Sequence, residues 1–288
     1  MEWKVPFNWE FARQVGPVKF LWRTLRRQCD KRLLQRDSYL NLPTGRRMYL
    51  PRNSYCASEI YVTNANIDWG GDAYFARYAD SKKDFLDVGA NIGYYSLYLS
   101  PLVRDVFAFE PDPRNFAALN INAATGRNIK HIAKAVSSST GNVSMDISGN
   151  PEISKVVSGD NGTLSVEAIT IDSFVSQNPD VSIGLIKIDA EGHESAVLAG
   201  AYDTIERDQP LLFIEGGDAP KDIQDLIDFR KRFDYETYAF IYKQSQPSKS
   251  YLVRLDADTF SSIRKKMVFL VPSRLAAHFH ADSVAFRR

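Results

Sequence analysis

The fold is decided by one short stretch, Phe85-Leu86-Asp87-Val88-Gly89-Ala90-Asn91-Ile92-Gly93. Its first four residues form a largely apolar run that is typical of a buried strand. Gly89 lets the backbone turn sharply after that strand, and Gly93 lets the next helix pack closely. The absence of side chains at the glycines lets a ligand lie against the main chain. The stretch therefore predicts a strand, a ligand-binding turn and a helix that continues to about residue 102.

Apolar runs alternate with helical patterns along the rest of the chain. Strands are predicted at residues 106–109, 132–136, 185–188, 211–214, 238–242 and 267–271. The last two are expected to pair as an antiparallel C-terminal hairpin with a long excursion between them. This alternation predicts an α/β fold of the Rossmann-like type, with a mostly parallel central sheet and helices on both faces.

Composition restricts the classes of protein that fit. The chain has 288 residues, 44% of them hydrophobic, and a net charge of +1, which gives no reason to expect a nucleic-acid partner. Its two cysteines, Cys29 and Cys56, exclude a disulfide framework and a thiolate metal cluster, so a reducing cytoplasm is the simplest compartment. Since no apolar run approaches the about 20 residues of a membrane span, we expect a soluble protein.

A basic amphipathic helix is predicted over residues 18–36. Apolar residues recur there at helical spacing, and lysines and arginines fill the other faces. The simpler expectation is a helix packed on the body of the protein with its charges in solvent. The alternative is contact with an anionic membrane surface, at the inner face of a membrane, or with a protein partner.

Three motifs in order carry a family resemblance. They are the stretch at 85–93, Phe109-Glu110-Pro111, and Lys187-Ile188-Asp189-Ala190-Glu191-Gly192-His193-Glu194. Over residues 66–272 the chain resembles the FkbM-type methyltransferases. The resemblance implies a class I methyltransferase fold, S-adenosyl-L-methionine as cofactor, and methylation of an oxygen. It leaves an N-terminal extension at 1–65 and a tail at 273–288, and we expect an insertion at 137–165 on the acceptor side.

A cofactor site is expected at the carboxyl ends of the strands, where strand order reverses. Glu110 ends the second strand, where an acid can accept hydrogen bonds from both ribose hydroxyls. The resemblance places Asp87 near the methionine end of the cofactor. It also implies that seven further residues line the cofactor: Gly89, Ala90, Asn91, Gly93, Pro111, Ala135 and Val136.

The turn after the fourth strand brings several titratable groups to the same crevice. We expect His193 to be the general base, because an ordinary histidine pKa of about 6.5 suits proton removal at neutral pH. Asp189 or Glu191 would orient the base or the substrate, and Glu215, which ends the fifth strand, would bind acceptor hydroxyls. A plainly exposed His193 is the alternative. A divalent metal held by these four residues is a lesser alternative, and we expect none.

The main hypothesis is O-methylation of a hydroxyl on a sugar, a polysaccharide or a secondary metabolite, and N-methylation of an uncharged amine is an open alternative. A nicotinamide-dependent oxidoreductase is a weaker alternative. Glu110 could hold that cofactor's ribose, but the turn lacks the second glycine that admits a pyrophosphate. The third hypothesis is a non-catalytic scaffold that docks a partner or a membrane through the basic helix.

Overall fold

The structure, a computed structural model, describes residues 9–149, 151, 154–157, 162–216, 220–243, 246–260 and 265–284. Parts of the predicted N-terminal extension (1–8), insertion (150, 152–153 and 158–161) and tail (285–288) lie outside the described residues. The elements up to the first sheet strand are α1 (Trp9–Val15), α2 (Pro17–Gln28) with a π-helical turn (Cys29–Leu33), β1 (Ser38–Asn41), β2 (Arg47–Leu50), α3 (Tyr55–Thr63) and α4 (Gly71–Ala76).

The remaining elements alternate as the sequence predicts. Up to the insertion they are β3 (Asp84–Val88), α5 (Tyr94–Leu99), β4 (Val106–Phe109), α6 (Pro113–Ala123), β5 (Ile129–Ile132), β6 (Ala135–Val136), β7 (Gly141–Asp146), β8 (Lys155–Val157) and β9 (Leu164–Ile169). After it come α7 (Ile171–Ser176), β10 (Ile183–Ile188), α8 (Glu194–Ala199), α9 (Tyr202–Asp208), β11 (Leu211–Glu215), α10 (Pro220–Phe233), β12 (Tyr235–Lys243), β13 (Gln246–Arg254), α11 (Ala257–Phe260), β14 (Met267–Pro272) and α12 (Ser273–Asp282).

An eight-stranded sheet forms the centre, in the order β13-β12-β14-β11-β10-β3-β4-β5. Strands β5, β4, β3, β10 and β11 are parallel, and β14 is antiparallel to both of its neighbours. Strand order reverses at β3, which lies between β4 and β10. This confirms the predicted mostly parallel α/β sheet with an antiparallel C-terminal part, and it makes the turn after β3 the expected ligand edge.

Two details of the strand prediction are corrected by the structure. The strand expected at 132–136 is wrong, because the chain leaves the central sheet at Ile132. A tight turn, in which the Lys134 amide donates to the Ile132 carbonyl at 3.0 Å, breaks the apolar run. β6 then joins a second sheet of order β6-β9-β7-β8, built by the insertion. The predicted C-terminal hairpin pairs as expected, but its excursion carries β13, which the sequence did not predict.

Apolar packing on both faces holds the strand ends in place. Every residue of β3 and of α5 is buried. On one face Phe213 packs on Phe269 with ring centroids 4.4 Å apart, and on the other Phe109 packs edge-to-face on Phe174 at 5.2 Å. Burying such a side chain contributes about 1.5–3 kcal/mol. The turns that follow β3, β4 and β10 are therefore held at one edge of the sheet.

Helix α2 is oriented differently from the simpler expectation. Arg27, 1% exposed, donates to Ser38 Oγ at 2.8 Å and to the Pro51 carbonyl at 2.6 Å, and Arg23 donates to the Tyr61 carbonyl at 2.6 Å. The expectation that the helix keeps its charges in solvent is therefore wrong for these two arginines. Because they face the body, apolar side chains of the same helix face outward. None of the described helices has the length and apolar composition that a membrane span requires.

Candidate active site

The turn after β3 has a backbone that requires glycine at its first residue, Gly89. The Gly89 and Ala90 amides both donate to the Phe109 carbonyl, at 3.0 and 2.9 Å, so the turn is tied to the end of β4. Gly89 has a φ of +69°, and a Cβ built there would lie 1.8 Å from the Asp189 carbonyl oxygen. No side chain fits at this position. The turn can therefore approach β10, and a ligand above it, at backbone distance.

Glu110 is buried and held rigidly at the end of β4. Its Oε2 accepts from the Asn91 amide at 2.7 Å and its Oε1 from the Asp112 amide at 2.9 Å. Burial raises the pKa of Glu110 to about 7. Because each carboxylate oxygen has two lone pairs, both oxygens can accept a further hydrogen bond from a ligand hydroxyl.

Most of the residues predicted to bind the cofactor meet in one cleft. Six of the predicted residues line it, namely Gly89, Asn91, Glu110, Pro111, Ala135 and Val136. The rest of its lining is Val88, Phe109, Asn115, Lys134, Met145, Pro151, Ser154, Val156, Asp189, Ala190, Glu191 and His193. We call it the first cleft. Ala90 lines a second space, which is described below, and Gly93 and Asp87 line neither the first cleft nor that second space. Met145 and Val156, which belong to the insertion expected on the acceptor side, also line this cleft.

His193 also lies in the first cleft. Its Nε2 is 2.9 Å from Ser137 Oγ, and its backbone begins α8. Burial lowers the pKa of His193, so its ring is neutral at pH 7. The imidazole is thus partly buried and hydrogen-bonded, and it does not line the adjoining cavity described next.

A second space adjoins the first cleft on the other side of the turn and measures about 640 Å³. We call it the acceptor cavity, after the role proposed for it below. It is lined by Tyr55, Cys56, Glu59, Ile67, Asp68, Ala90, Asn91, Tyr94, Tyr95, Lys187, Asp189, Glu191, Glu215, Gly216, Lys265, Lys266 and Met267. Asn91, Asp189 and Glu191 line both spaces. A ligand in the first cleft can therefore extend into the acceptor cavity past these three residues.

Three predicted acids meet where the two spaces join. Oxygens of Asp189, Glu191 and Glu215 all lie within 4.8 Å of one another. Burial, with the nearby carboxylates of Asp189, Glu191 and Glu194, raises the pKa of Glu215 to about 9. Glu215 therefore carries a proton at neutral pH and shares a hydrogen bond with Asp189. The three oxygens could also hold a divalent cation, and His193 is not part of this group.

Lys187 lies in the candidate site, although the sequence analysis gave it no role. It is buried in β10, with Nζ 2.7 Å from the Gly89 carbonyl, 3.3 Å from Asp189 and 3.7 Å from Asp87. Burial opposes its charge, but the carboxylates of Asp189 and Asp87 outweigh burial and raise the pKa of Lys187. Asp87 in turn accepts from Ser96 Oγ at 2.6 Å. The sequence signal that could have identified Lys187 was a lysine inside the apolar run Leu185-Ile186-Lys187-Ile188.

Asp68 and its partner Tyr95 were also missed. The Tyr95 hydroxyl donates to the Asp68 carboxylate, and burial raises the pKa of Asp68 to about 7. Both residues line the acceptor cavity, but Asp68 comes from the loop between α3 and α4. Loop residues give no periodic signal in a sequence, so only the folded chain brings Asp68 to the site.

These features define a class of protein: an α/β enzyme with a nucleoside-type site at the switch point of its sheet and an acid-rich cavity beside it. Residues 87–237 match the family described as "Methyltransferase FkbM domain", and the chain belongs to this family. FkbM methyltransferases are dependent on S-adenosylmethionine.

Similar proteins were found by sequence and by structure. "Hexuronic acid methyltransferase AglP" of Haloferax volcanii is 32% identical over 149 residues, which cover 49% of this chain and 59% of that protein. Methyltransferase FkbM from Methylobacillus flagellatus KT has a TM-score of 0.45 and 17% identity, over 74% of this chain and 52% of that one. The M. jannaschii tRNA m1G37 methyltransferase has a TM-score of 0.43 and 13% identity, over 82% and 57%.

Proposed function

We propose that this chain is an S-adenosylmethionine-dependent methyltransferase that methylates a hydroxyl group of a carbohydrate acceptor. The observation that carries the proposal is the junction of two spaces at Asn91, Asp189 and Glu191. One space has the glycine turn and a buried carboxylate, and the other is wide and rich in acids. Family membership supports methyl transfer as the reaction, and the name of the AglP relative, a hexuronic acid methyltransferase, supports a sugar acceptor.

The residues present fit S-adenosylmethionine in the first cleft. Glu110 would accept hydrogen bonds from the ribose, and Pro111, Ala135 and Val136 would enclose the adenine. The turn Gly89–Asn91 has no room for a Cβ at its first residue, as expected where a ligand lies on the backbone. When bound, the cofactor supplies an electrophilic methyl group on a sulfonium. Lys187 would hold Asp87 and the Gly89 carbonyl in place near the methionine end of the cofactor.

Asp189 is the group we propose to take the proton of the acceptor hydroxyl. It lines both spaces, so it lies beside the place where an acceptor would meet the methyl group. Glu215, protonated at neutral pH and bonded to Asp189, would accept a hydrogen bond from an acceptor hydroxyl. This contact would keep the acceptor oriented, which supplies much of the rate in such transfers. His193 stays the second candidate for the base, and its place in the first cleft, bonded to Ser137, favours Asp189 over it.

The test is calorimetric titration with S-adenosylmethionine, S-adenosylhomocysteine and the nicotinamide cofactors. Wild-type protein is expected to bind the first two and not the last. Glu110→Ala removes the proposed ribose acceptor, and since a hydrogen bond to a charged group contributes about 1.5–3 kcal/mol, binding should weaken at least about tenfold. Glu206→Gln, an exposed acid on α9, is the matched control. Wild-type protein that binds no adenosyl compound would refute the proposal.

A second candidate function, contact with a membrane surface, is favoured by the outer face of α2. Val18 is 80% exposed, Leu25 61% and Trp22 55%, and Leu21, Leu33 and Leu34 are exposed beside them. The buried anchors of Arg27 keep this apolar stripe outward. Lys19, Arg26 and Arg32 are exposed on the same segment. We propose that residues 18–36 lie on an anionic bilayer, where apolar side chains enter the interface and basic ones meet lipid headgroups.

Vesicle co-sedimentation tests this contact. Wild-type protein should sediment with phosphatidylserine-containing vesicles and stay in solution with pure phosphatidylcholine, and added salt should reduce the bound fraction. The double variant Trp22→Glu, Leu25→Glu should lose the binding, whereas Glu206→Gln should keep it. Equal sedimentation of wild-type and double variant would remove the proposal without affecting the enzymatic one.

A further inference from the structure

Acidic residues outnumber basic residues in the lining of the acceptor cavity. Among the described residues that line it, five are acids, namely Glu59, Asp68, Asp189, Glu191 and Glu215. Three are lysines, namely Lys187, Lys265 and Lys266. Since a sugar is recognised through the hydrogen-bonding and charged groups around it, this balance bears on which sugar the cavity accepts.

Each of the three ammonium groups is already engaged by the protein. Lys187 Nζ contacts the Gly89 carbonyl at 2.7 Å and Asp189 at 3.3 Å. Lys266 Nζ contacts Glu59 at 2.8 Å and the Ile67 carbonyl at 2.9 Å. Lys265 is 7% exposed, and its Nζ donates to the Phe260 carbonyl at 3.0 Å. A carboxylate on an acceptor would therefore compete with a protein partner for each of these ammonium groups.

We infer that the acceptor cavity selects against an acidic sugar and takes one whose groups near the methylated hydroxyl are neutral hydroxyls or amines. The inference rests on the proposed function, because it assumes that this cavity holds the acceptor. Ionised carboxylates can only accept hydrogen bonds, so they suit the hydroxyl and amino groups of a sugar and repel a uronate.

The protonation of the cavity supports the same selection. Burial raises the pKa of Asp68, and the neighbouring carboxylates of Asp72 and Glu59 raise it further. Lys266 opposes this shift without cancelling it. The carboxylate of an acceptor beside Asp68 would meet the same repulsion.

Part of the wall that sets this balance lies outside the segment that matches the family. Glu59, Asp68, Lys265 and Lys266 lie outside residues 87–237, the part that matches the family. The AglP relative is named for a hexuronic acid, which is acidic, and its similarity covers 49% of this chain. A shared cofactor half with a different acceptor wall is how one reaction is directed to different sugars.

Three methyl glycosides test the inference. Methyl glucoside is the reference, and methyl glucuronide and methyl 2-amino-2-deoxyglucoside each differ from it at one group. Their dissociation constants are measured by NMR titration of protein saturated with S-adenosylhomocysteine. We expect the glucuronide to bind at least about tenfold more weakly than the glucoside, and the amino sugar at least as tightly as the glucoside. A glucuronide that binds equally or more tightly overturns the inference. The absence of detectable binding by all three glycosides at millimolar concentration also overturns it. Titration of the same sample with the cofactor tests the proposed function separately.

Variants of the wall sharpen the result. Glu59→Gln releases Lys266 from its ion pair, so the glucuronide should gain about tenfold in affinity while the glucoside changes less than about twofold. Asp68→Asn removes a second charge and should act in the same direction. Glu206→Gln, on the exposed face of α9, should change neither affinity. If both wall variants fold and leave the ratio of the two affinities at its wild-type value, the wall does not set the selection.

Discussion

Lys187→Met should destabilise the protein strongly, because it removes the cation between two carboxylates. The side chains of Lys187 and Asp87 are 4% and 0% exposed, and Asp189 lies 3.3 Å from the ammonium. Breaking a buried ion pair by removing one partner costs about 3–5 kcal/mol, since the other charge stays buried. For a chain of this size about 1 kcal/mol shifts Tm by about 2–4 °C. We therefore expect Tm to fall by about 6–20 °C.

The sign of the pH dependence gives an independent check. Without the lysine, burial raises the folded-state pKa of Asp87 above its unfolded value. Such a group contributes its stability below the unfolded pKa and loses it as pH rises through the folded pKa. The variant should therefore be more stable at about pH 5 than at about pH 8, relative to wild type.

Thermal unfolding followed by circular dichroism measures both effects. The double variant Lys187→Met, Asp87→Asn removes the stranded charge and should recover most of the lost Tm, which makes a double-mutant cycle. Lys130→Met is the control, because Lys130 pairs with Asp105 at 2.9 Å on the surface and such pairs contribute about 0–1 kcal/mol. A loss below about 1 kcal/mol for Lys187→Met, or no recovery in the double variant, would refute the reasoning.

Three further outcomes follow from the site. Gly89→Ala should abolish calorimetric binding of S-adenosylmethionine, because its Cβ would lie 1.8 Å from the Asp189 carbonyl oxygen; a folded variant with wild-type affinity would contradict this. Asp189→Asn should lower kcat for transfer of a radiolabelled methyl group at least about 100-fold and His193→Gln less than about tenfold, and the reverse order would return the role of base to His193. Cofactor affinity should rise as pH increases through about 7, where Glu110 ionises, and Glu110→Gln should flatten that profile; a flat wild-type profile would argue against Glu110 as the ribose ligand.

Local signals made the central sheet and the cofactor turn predictable. The run at 85–88, the positive-φ glycines after it and the acid that ends β4 each depend on residues close in sequence. What the sequence could not predict depends on distant partners. The break at Ile132, the added strand β13 and the outward stripe of α2 are each decided by contacts formed only in the folded chain. Arg27, for example, is buried because Ser38 and Pro51 supply acceptors.

The same distinction applies within the active site. Most of the residues that we expect on the cofactor side come from the turns after β3 and β4, whose sequences are short motifs, so a resemblance could identify them. The proposed acceptor wall is assembled from α3 and the loop that holds Asp68, and from the segment before β14, which lies far from them in sequence. Lys266 bonds to Glu59 across 207 positions of the chain. Because that contact links two segments outside the family match, the proposed acceptor wall is specified by other parts of the sequence than the proposed cofactor turn, where even a methyl group does not fit at Gly89.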